Sequence, residues 1–197
     1  MSTLQTSLPL IAWQRLRAGH PGPLAEDRPT AAVFRCADSG VAAETTFGQN
    51  PGSLIEVSTW GHMVDAGVVA SLEYAVEALE VPLIVVLGHR DCHAMRTALR
   101  AWNDIDMPQG VARTMVEQAM GSIVRRGAVA DSEAAVTSAH IVETGLGLLE
   151  RSPVISRRVD AGRCGIVCAA VTPGDGIRVY ATVGPVGEVS DSLLECV

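Results

Sequence analysis

Aromatic residues and long apolar runs are both scarce in this sequence of 197 residues. Only 4% of the residues are Phe, Trp or Tyr although 48% are apolar, so aliphatic side chains must fill most of the core. No stretch approaches the roughly 20 uninterrupted apolar residues that a membrane span requires. The apolar run near the start has no basic leader and is interrupted by Pro9, Gln14 and Arg15, so we do not expect a signal peptide.

Basic residues are also fewer than acidic ones. The sequence has 15 Lys and Arg residues and 22 Asp and Glu residues, so its formal net charge is -7. Such a surface does not neutralise phosphates, which argues against general nucleic-acid binding. The cysteines number five, and an odd number favours thiols and metal ligands over disulfides. These features predict a cytoplasmic protein that binds neither nucleic acid nor membrane.

The length suits one α/β domain with a sizeable core and is short for two. We expect a single domain over residues 1–197, in which residues 1–29 form an N-terminal arm. Residues 8–18 of this arm carry an amphipathic helical pattern, and the Pro- and Gly-rich stretch 20–29 indicates a connection.

The stretch VPLIVVLGHRDCHAM, residues 81–95, is the most informative part of the chain. Its first seven residues are largely apolar and branched, which predicts a strand buried on both faces, and Gly88 permits a sharp turn at its end. His89 and Cys92 follow at once. Upstream, residues 31–35 predict a second short buried strand, which is followed directly by Cys36.

Parallel neighbouring strands would bring Cys36, His89 and Cys92 to one edge of the sheet, where open α/β sheets place their ligands. Two thiolates and one imidazole suit zinc better than magnesium or calcium. Three protein ligands also leave one position open, as in catalytic zinc sites. The alternative is two buried cysteines and a capping histidine that never meet, because this spacing is a weaker signal than two Cys-x-x-Cys pairs.

The remaining elements follow from periodicity and turn chemistry. Helices are predicted at residues 42–47, 68–80, 93–102, 111–126 and 131–149, and a further strand at 53–58. The helix at 68–80 joins two strands in the parallel sense, which predicts a right-handed crossover. Asp131 is the expected cap of the last helix.

The end of the chain predicts an antiparallel hairpin, because two apolar runs flank the turn sequence PGDG. Cys164 and Cys168 are expected in this hairpin as buried thiols, and Cys196 in a loose tail. His20 and His140 have no apparent partners in the sequence, so we expect surface or capping residues at both positions.

Several segments resemble the β-class carbonic anhydrases, in order and at similar separations. They are CADSGV (36–41), PGSLIEV (51–57), SLEYAVEALEVPLIVVLGH (71–89) and the Cys92 that follows. The resemblance runs from about residue 30 to residue 99 and resumes more weakly over residues 139–184.

This resemblance implies a mostly parallel central β-sheet flanked by helices, with a C-terminal antiparallel hairpin and an N-terminal helical arm. It implies that Cys36, His89 and Cys92 bind zinc and that zinc-bound hydroxide hydrates carbon dioxide reversibly to bicarbonate. In the family the N-terminal helical segment reaches across to a second subunit, so a homodimer or a higher even oligomer is also implied.

Three departures from the family pattern surround the predicted zinc site. The family has an Arg two residues after Asp38, which holds the carboxylate off the metal, whereas this sequence has Gly40. Residues 58–62 are Ser-Thr-Trp-Gly-His where the family usually has Arg-Asn-Ala-Gly-Asn. His93 replaces the Gly that usually follows the second zinc cysteine.

These departures leave the role of Asp38 open. Held back by another donor, such as Arg35, Arg90 or His93, it is a general base beside the open zinc position. Free to rotate, it becomes a fourth zinc ligand and closes the site. His62 and His93 are candidate proton shuttles, since imidazole titrates near neutrality; the alternative for each is a solvent-facing or core-satisfied histidine.

Three functions therefore fit the sequence. The first is a zinc lyase of the β-carbonic anhydrase type. The second is a zinc hydratase, dehydratase or hydrolase on the same scaffold that acts on another electrophilic carbon, which the altered loop 58–62, His93 and the missing Arg would favour. The third is a catalytically silent zinc protein in which Asp38 occupies the open position.

Overall fold

The computed structural model describes residues 7–20, 28–172, 174 and 176–187. The helices are α1 (Leu8–Arg17), α2 (Ala43–Thr46), α3 (Ala66–Glu77), α4 (His93–Asp104), α5 (Ala112–Arg126), α6 (Glu133–Arg151) and α7 (Pro153–Asp160). The strands are β1 (Ala31–Cys36), β2 (Leu54–Thr59), β3 (Leu83–His89), β4 (Gly165–Thr172) and β5 (Gly176–Val183). Within these residues, no helix combines the length and the apolar character that a membrane span needs.

The five strands form one sheet in the order β2-β1-β3-β4-β5. Strand β1 pairs in parallel with β2 and β3, β3 pairs in parallel with β4, and only β4 and β5 are antiparallel. The central strand β3 is buried along its whole length except at His89, as expected for a strand covered on both faces. The predicted parallel sheet and C-terminal hairpin are therefore confirmed.

Helices cover both faces of the sheet. Residues of α3, α6 and α7 form the core on one face. On the other face α1 and α2 contribute Trp13 and Phe47, whose rings meet edge to face at 6.4 Å between centroids. The family resemblance implies an arm that reaches across to a second subunit, but here the apolar side of α1 is buried on the sheet of its own chain.

A very close contact joins α6 to β4. A Cβ atom on Gly145 would lie 2.4 Å from the Cys168 sulfur, so only glycine allows α6 to approach the sheet this closely. Cys164 and Cys168 are buried free thiols, as predicted, and burial raises the pKa of each to about 12. Cys196 lies outside the described residues.

The end of α6 differs from the prediction. Ser132, not Asp131, is its N-cap, and the hydroxyl of Ser132 accepts the N–H of Ala135 at 3.3 Å. Pro153 was expected to follow the end of helical structure, but it begins a new helix, α7, capped by Ser152. Proline suits the first position of a helix because that residue needs no N–H donor. A proline that is expected after the end of one helix can therefore begin the next one.

Candidate metal centre

Cys36, His89 and Cys92 come together at the carboxyl edge of the sheet. Cys36 ends β1, His89 ends β3, and Cys92 is the N-cap residue of α4. Their candidate ligand atoms all lie within 4.8 Å of one another, so the three residues could hold a metal ion. The alternative in which they never meet is therefore wrong.

Two features of the backbone bring these residues together. Strands β1 and β3 are parallel neighbours in which Arg35 faces Leu87, so both strands end at the same level. Asp91 then adopts a left-handed conformation, with φ of 59°, and turns the chain back toward the cluster. The backbone N–H of Cys92 is fixed by the carboxylate of Glu133, the first residue of α6, at 2.5 Å.

The hydrogen bonds of His89 leave one ring nitrogen free to ligate. Its Nδ1–H donates to the Arg90 carbonyl at 2.9 Å, which assigns the hydrogen to that nitrogen. Its Nε2 is buried and has no hydrogen-bond partner among the described residues. Metal-ligating histidines typically have this arrangement, because the hydrogen bond at the other nitrogen orients the ring.

The two sulfur atoms lie 3.8 Å apart, within hydrogen-bond distance of each other. The hydrogen bond from the Cys92 thiol is the main reason that the pKa of Cys36 is lowered, and the pKa of Cys92 is raised by the same bond. Burial would lower the pKa of His89, but its interaction with the Cys36 thiolate raises this pKa overall. The lowered pKa of Cys36 favours its thiolate, the form in which cysteine binds metals.

The Cys36 sulfur also accepts two backbone N–H groups. Gly61 donates to it at 3.1 Å and Asp38 at 3.4 Å. Both donors stabilise the charged form of the sulfur. Gly61 belongs to a short 3-10 turn, Trp60–His62, that follows β2 directly.

Asp38 is held away from the cluster by the helix that follows Cys92. Its carboxylate accepts the backbone N–H of His93, the first residue of α4. The N-terminus of a helix attracts a carboxylate through its unpaired N–H groups and its dipole. Of the three donors considered from the sequence, His93 is thus the one observed, and it acts through its backbone.

The two arginines considered for this role are engaged elsewhere. Arg35 pairs with Glu56 at 2.7 Å and donates to the Ser39 carbonyl at 3.0 Å. Arg90 lies 3.8 Å from the carboxylate of Asp91. Neither side chain replaces the arginine that the family pattern would put at Gly40.

The side chain of His93 is exposed and lies beside Trp60, with 6.2 Å between the ring centroids. His62 is in a different environment: it is 2% exposed, its Nε2–H donates to the Leu87 carbonyl at 3.0 Å, and burial lowers its pKa. The structure thus leaves the His93 imidazole at the surface beside Trp60, whereas it places His62 in the core.

His140 was expected at the surface or at a cap, and this prediction was wrong. The residue is 2% exposed, and burial lowers its pKa to about 4. Its ring nitrogens lie 2.9 Å from the Ser122 hydroxyl and 2.8 Å from the Gly61 carbonyl. No local pattern indicates these contacts, since the two partners are 18 and 79 residues away along the chain.

A cavity of about 400 Å³ lies on one side of the cluster. Its walls come from the ends of β3 and β4, from β5 and from the first turn of α6, and include His89, Thr137, Thr172 and Tyr180. His89 is the cluster residue that lines it. The cavity is large enough for a molecule bigger than carbon dioxide.

Known proteins resemble this chain in sequence and in fold. The family model for carbonic anhydrase matches residues 31–177. Carbonic anhydrase 2 of Mycobacterium tuberculosis is 39% identical over 201 residues, which cover 91% of this chain and 97% of that protein. The carbonic anhydrase of Mycolicibacterium smegmatis is 37% identical over 206 residues, which cover 94% of this chain and 100% of that protein. One of two tetrameric β-carbonic anhydrases from Sordaria macrospora matches in structure with a TM-score of 0.66, 22% identity and coverage of 87% of each chain.

Proposed function

The chain belongs to the β-carbonic anhydrase family, and we propose that it is a zinc-dependent lyase that hydrates carbon dioxide reversibly to bicarbonate. The observation that carries this proposal is the convergence of Cys36, His89 and Cys92 with Asp38 held beside them, not among them. The Asp38 carboxylate is engaged by the His93 N–H, which supports an open site over a silent one.

The donor set supports zinc as the metal. Zinc–sulfur bonds of about 2.3 Å in tetrahedral geometry place two sulfurs about 3.8 Å apart, and the two cysteine sulfurs are separated by 3.8 Å. Zinc bound by these three residues would supply the Lewis acid that makes water reactive toward carbon dioxide.

We propose Asp38 as the general base. Its carboxylate is exposed to solvent and fixed by the His93 N–H, so it can accept the proton of a reacting water molecule. The exposed His93 imidazole then passes this proton to the solvent. The burial of His62 and its bond to Leu87 argue against the shuttling role that the sequence allowed, and we propose that it stabilises the turn at Trp60–His62 instead.

We further propose a homodimer or a higher even oligomer. The Sordaria macrospora protein that shares the fold is described as tetrameric. Leu8 and Tyr74 are large apolar side chains that are 61% and 58% exposed in the single chain, as expected at a subunit contact. Sedimentation velocity of the purified protein would measure the assembly directly.

A cytoplasmic location is supported by the state of the cysteines. The four that the structure describes are all free and buried, as expected for a protein that works in a reducing compartment. Fractionation of the source cells, followed by detection of the protein, would test this assignment.

The cavity beside His89 supports a second candidate, a zinc hydratase, dehydratase or hydrolase with a larger substrate. One measurement distinguishes the two candidate functions. Stopped-flow hydration of carbon dioxide by zinc-loaded protein, from mildly acidic to alkaline pH, should show turnover that falls about 100-fold or more in Asp38→Ala. A protein that holds one zinc per chain and shows no turnover at any pH would refute the first candidate and favour the second.

A further inference from the structure

We infer that His140 is a positioning residue for the metal centre and acts on the Cys36 thiolate through the turn at Trp60–His62. This inference rests on the proposed function, because it concerns the same three-ligand site. His140 lies in the middle of α6, and Gly61 stands between it and the cluster.

Three hydrogen bonds connect α5 to the metal centre. The Ser122 hydroxyl lies 2.9 Å from His140 Nδ1 and 3.0 Å from the Gln118 carbonyl, and His140 Nε2–H donates to the Gly61 carbonyl at 2.8 Å. The N–H of Gly61 donates to the Cys36 sulfur at 3.1 Å. A carbonyl can only accept, so the second bond places the imidazole hydrogen on Nε2 and leaves Nδ1 to accept from Ser122.

The turn that carries Gly61 needs such support. Gly61 and His62 are consecutive left-handed residues, with φ of 62° and 54°. This conformation is unfavourable for a residue with a side chain, and it persists only where the surroundings impose it. His140 holds the Gly61 carbonyl and the Leu87 carbonyl accepts the Nε2–H of His62, so the turn is fixed on both sides.

Fixing the carbonyl of Gly61 also fixes its N–H. The two groups flank one Cα atom, so the direction of the N–H follows once the conformation of Gly61 is set. Met115 packs against this Cα so closely that a Cβ there would lie 2.4 Å from its sulfur. The N–H of Gly61 is thereby aimed at Cys36.

This N–H matters to the metal because it withdraws charge from the sulfur. A thiolate that accepts hydrogen bonds donates less charge to a bound ion, which leaves the ion a stronger Lewis acid. Removing His140 should therefore change the electronic state of the Cys36–metal bond. A histidine that served packing alone would change stability and leave that bond as it was.

Cobalt-substituted protein provides the test, since thiolate-to-cobalt charge transfer reports directly on the metal–sulfur bond. His140→Leu removes both hydrogen bonds, whereas His140→Gln keeps an amide N–H that can reach the Gly61 carbonyl. Val136→Ala is the matched control, because Val136 is buried on α6 one turn earlier and packs in the apolar cluster that contains Cys36.

We expect the charge-transfer band of His140→Leu to move to lower energy. Its zinc affinity, measured by chelator competition, should fall about tenfold, the low end of the range for losing a partner of a metal ligand. His140→Gln should remain close to the parent protein in both measurements. Val136→Ala should be less stable and leave the band unmoved.

An unmoved band and parental affinity in folded His140→Leu would overturn the inference. If His140→Leu does not fold, Ser122→Ala takes its place: it should move the band in the same direction by a smaller amount, and an unmoved band would equally overturn the inference. A parent protein with no charge-transfer band would instead refute the proposed metal site itself, so the two failures are distinguishable.

Discussion

The backbone N–H of His93 donates a hydrogen bond to the carboxylate of Asp38, a residue 55 positions earlier in the chain. This bond takes over a task that the family pattern gives to an arginine at the position of Gly40. The donor is part of the backbone, so it persists whatever side chain stands at position 93, with proline as the exception.

That exception gives the first prediction. His93→Pro removes the N–H donor but suits the first position of α4, where proline is favoured, and Cys92 already has the extended conformation that precedes proline. We expect hydration activity to fall about 100-fold as Asp38 turns toward the metal. The double variant Gly40→Arg/His93→Pro should recover most of it, since a Cβ at Gly40 meets no atom within 4 Å.

His93→Ala is the control for that experiment. It keeps the N–H and removes the imidazole, so Asp38 should stay in place and only proton transfer should suffer. Stopped-flow rates should fall less than in His93→Pro and should recover when imidazole buffer is added. Equal losses in the two variants, both insensitive to buffer, would show that the backbone bond does not position Asp38.

The cysteines allow a second prediction about metal content. Cys36→Ser and Cys92→Ser should each lose zinc, because a hydroxyl is a much poorer zinc ligand than a thiolate. Cys196→Ser should retain one zinc per chain. Atomic absorption on the three purified variants makes the comparison, and equal zinc contents would refute the ligand assignment.

Stability should depend on pH through His140. Burial, and secondarily the electrostatic effects of His62 and Arg125, lower its pKa from 6.5 to about 4, although the hydrogen bond to Gly61 and the nearby Cys36 oppose this. The unfolded chain then binds a proton that the folded chain does not, so stability is complete above about pH 6.5 and falls as the pH drops toward 4. The loss attributable to His140 is about 3 kcal/mol in total.

Urea unfolding between pH 7 and pH 4.5, in excess zinc, measures this dependence. His140→Leu should show a flatter decline than the parent protein, because it lacks the imidazole that takes up a proton on unfolding. Parallel curves would mean that His140 is not neutral in the folded state.

The fourth prediction concerns the stability of variants at Gly61. Alanine at this position has a left-handed φ and places its Cβ against the Met115 sulfur, whereas Gly127 has a similar φ of 59° with no atom within 4 Å. Gly61→Ala should therefore cost about 2 kcal/mol more than Gly127→Ala, the scale of overpacking a core. It should also weaken zinc binding. Denaturant titrations of both variants would measure the difference.

The fold and the three candidate ligands could be predicted because their signals are local. The apolar run before His89 and the short run before Cys36 each define a strand, and parallel pairing then fixes where they end. The element boundaries differ from the prediction mainly near Pro153, where Ser152 is both the C-cap of α6 and the N-cap of the new helix α7.

The surroundings of the ligands could not be predicted, because they depend on distant contacts. His140 has no nearby partner in the sequence, and its role follows only from the packing of α6 against α5 and the turn at Trp60–His62. The hydrogen-bond donor to Asp38 could not be predicted either. Any residue other than proline has a backbone N–H, and the sequence does not show which N–H will lie near the Asp38 carboxylate.

The three ligands and their supports occupy different parts of the chain. Cys36, His89 and Cys92 are all synthesised before Glu133 and His140, and N-terminal segments begin to fold during synthesis. We therefore expect a nascent chain to be able to capture a metal ion once β1 and β3 pair. We expect firm retention of the ion only after α6, which carries Glu133 and His140, has docked, so the order of translation would separate capture from retention.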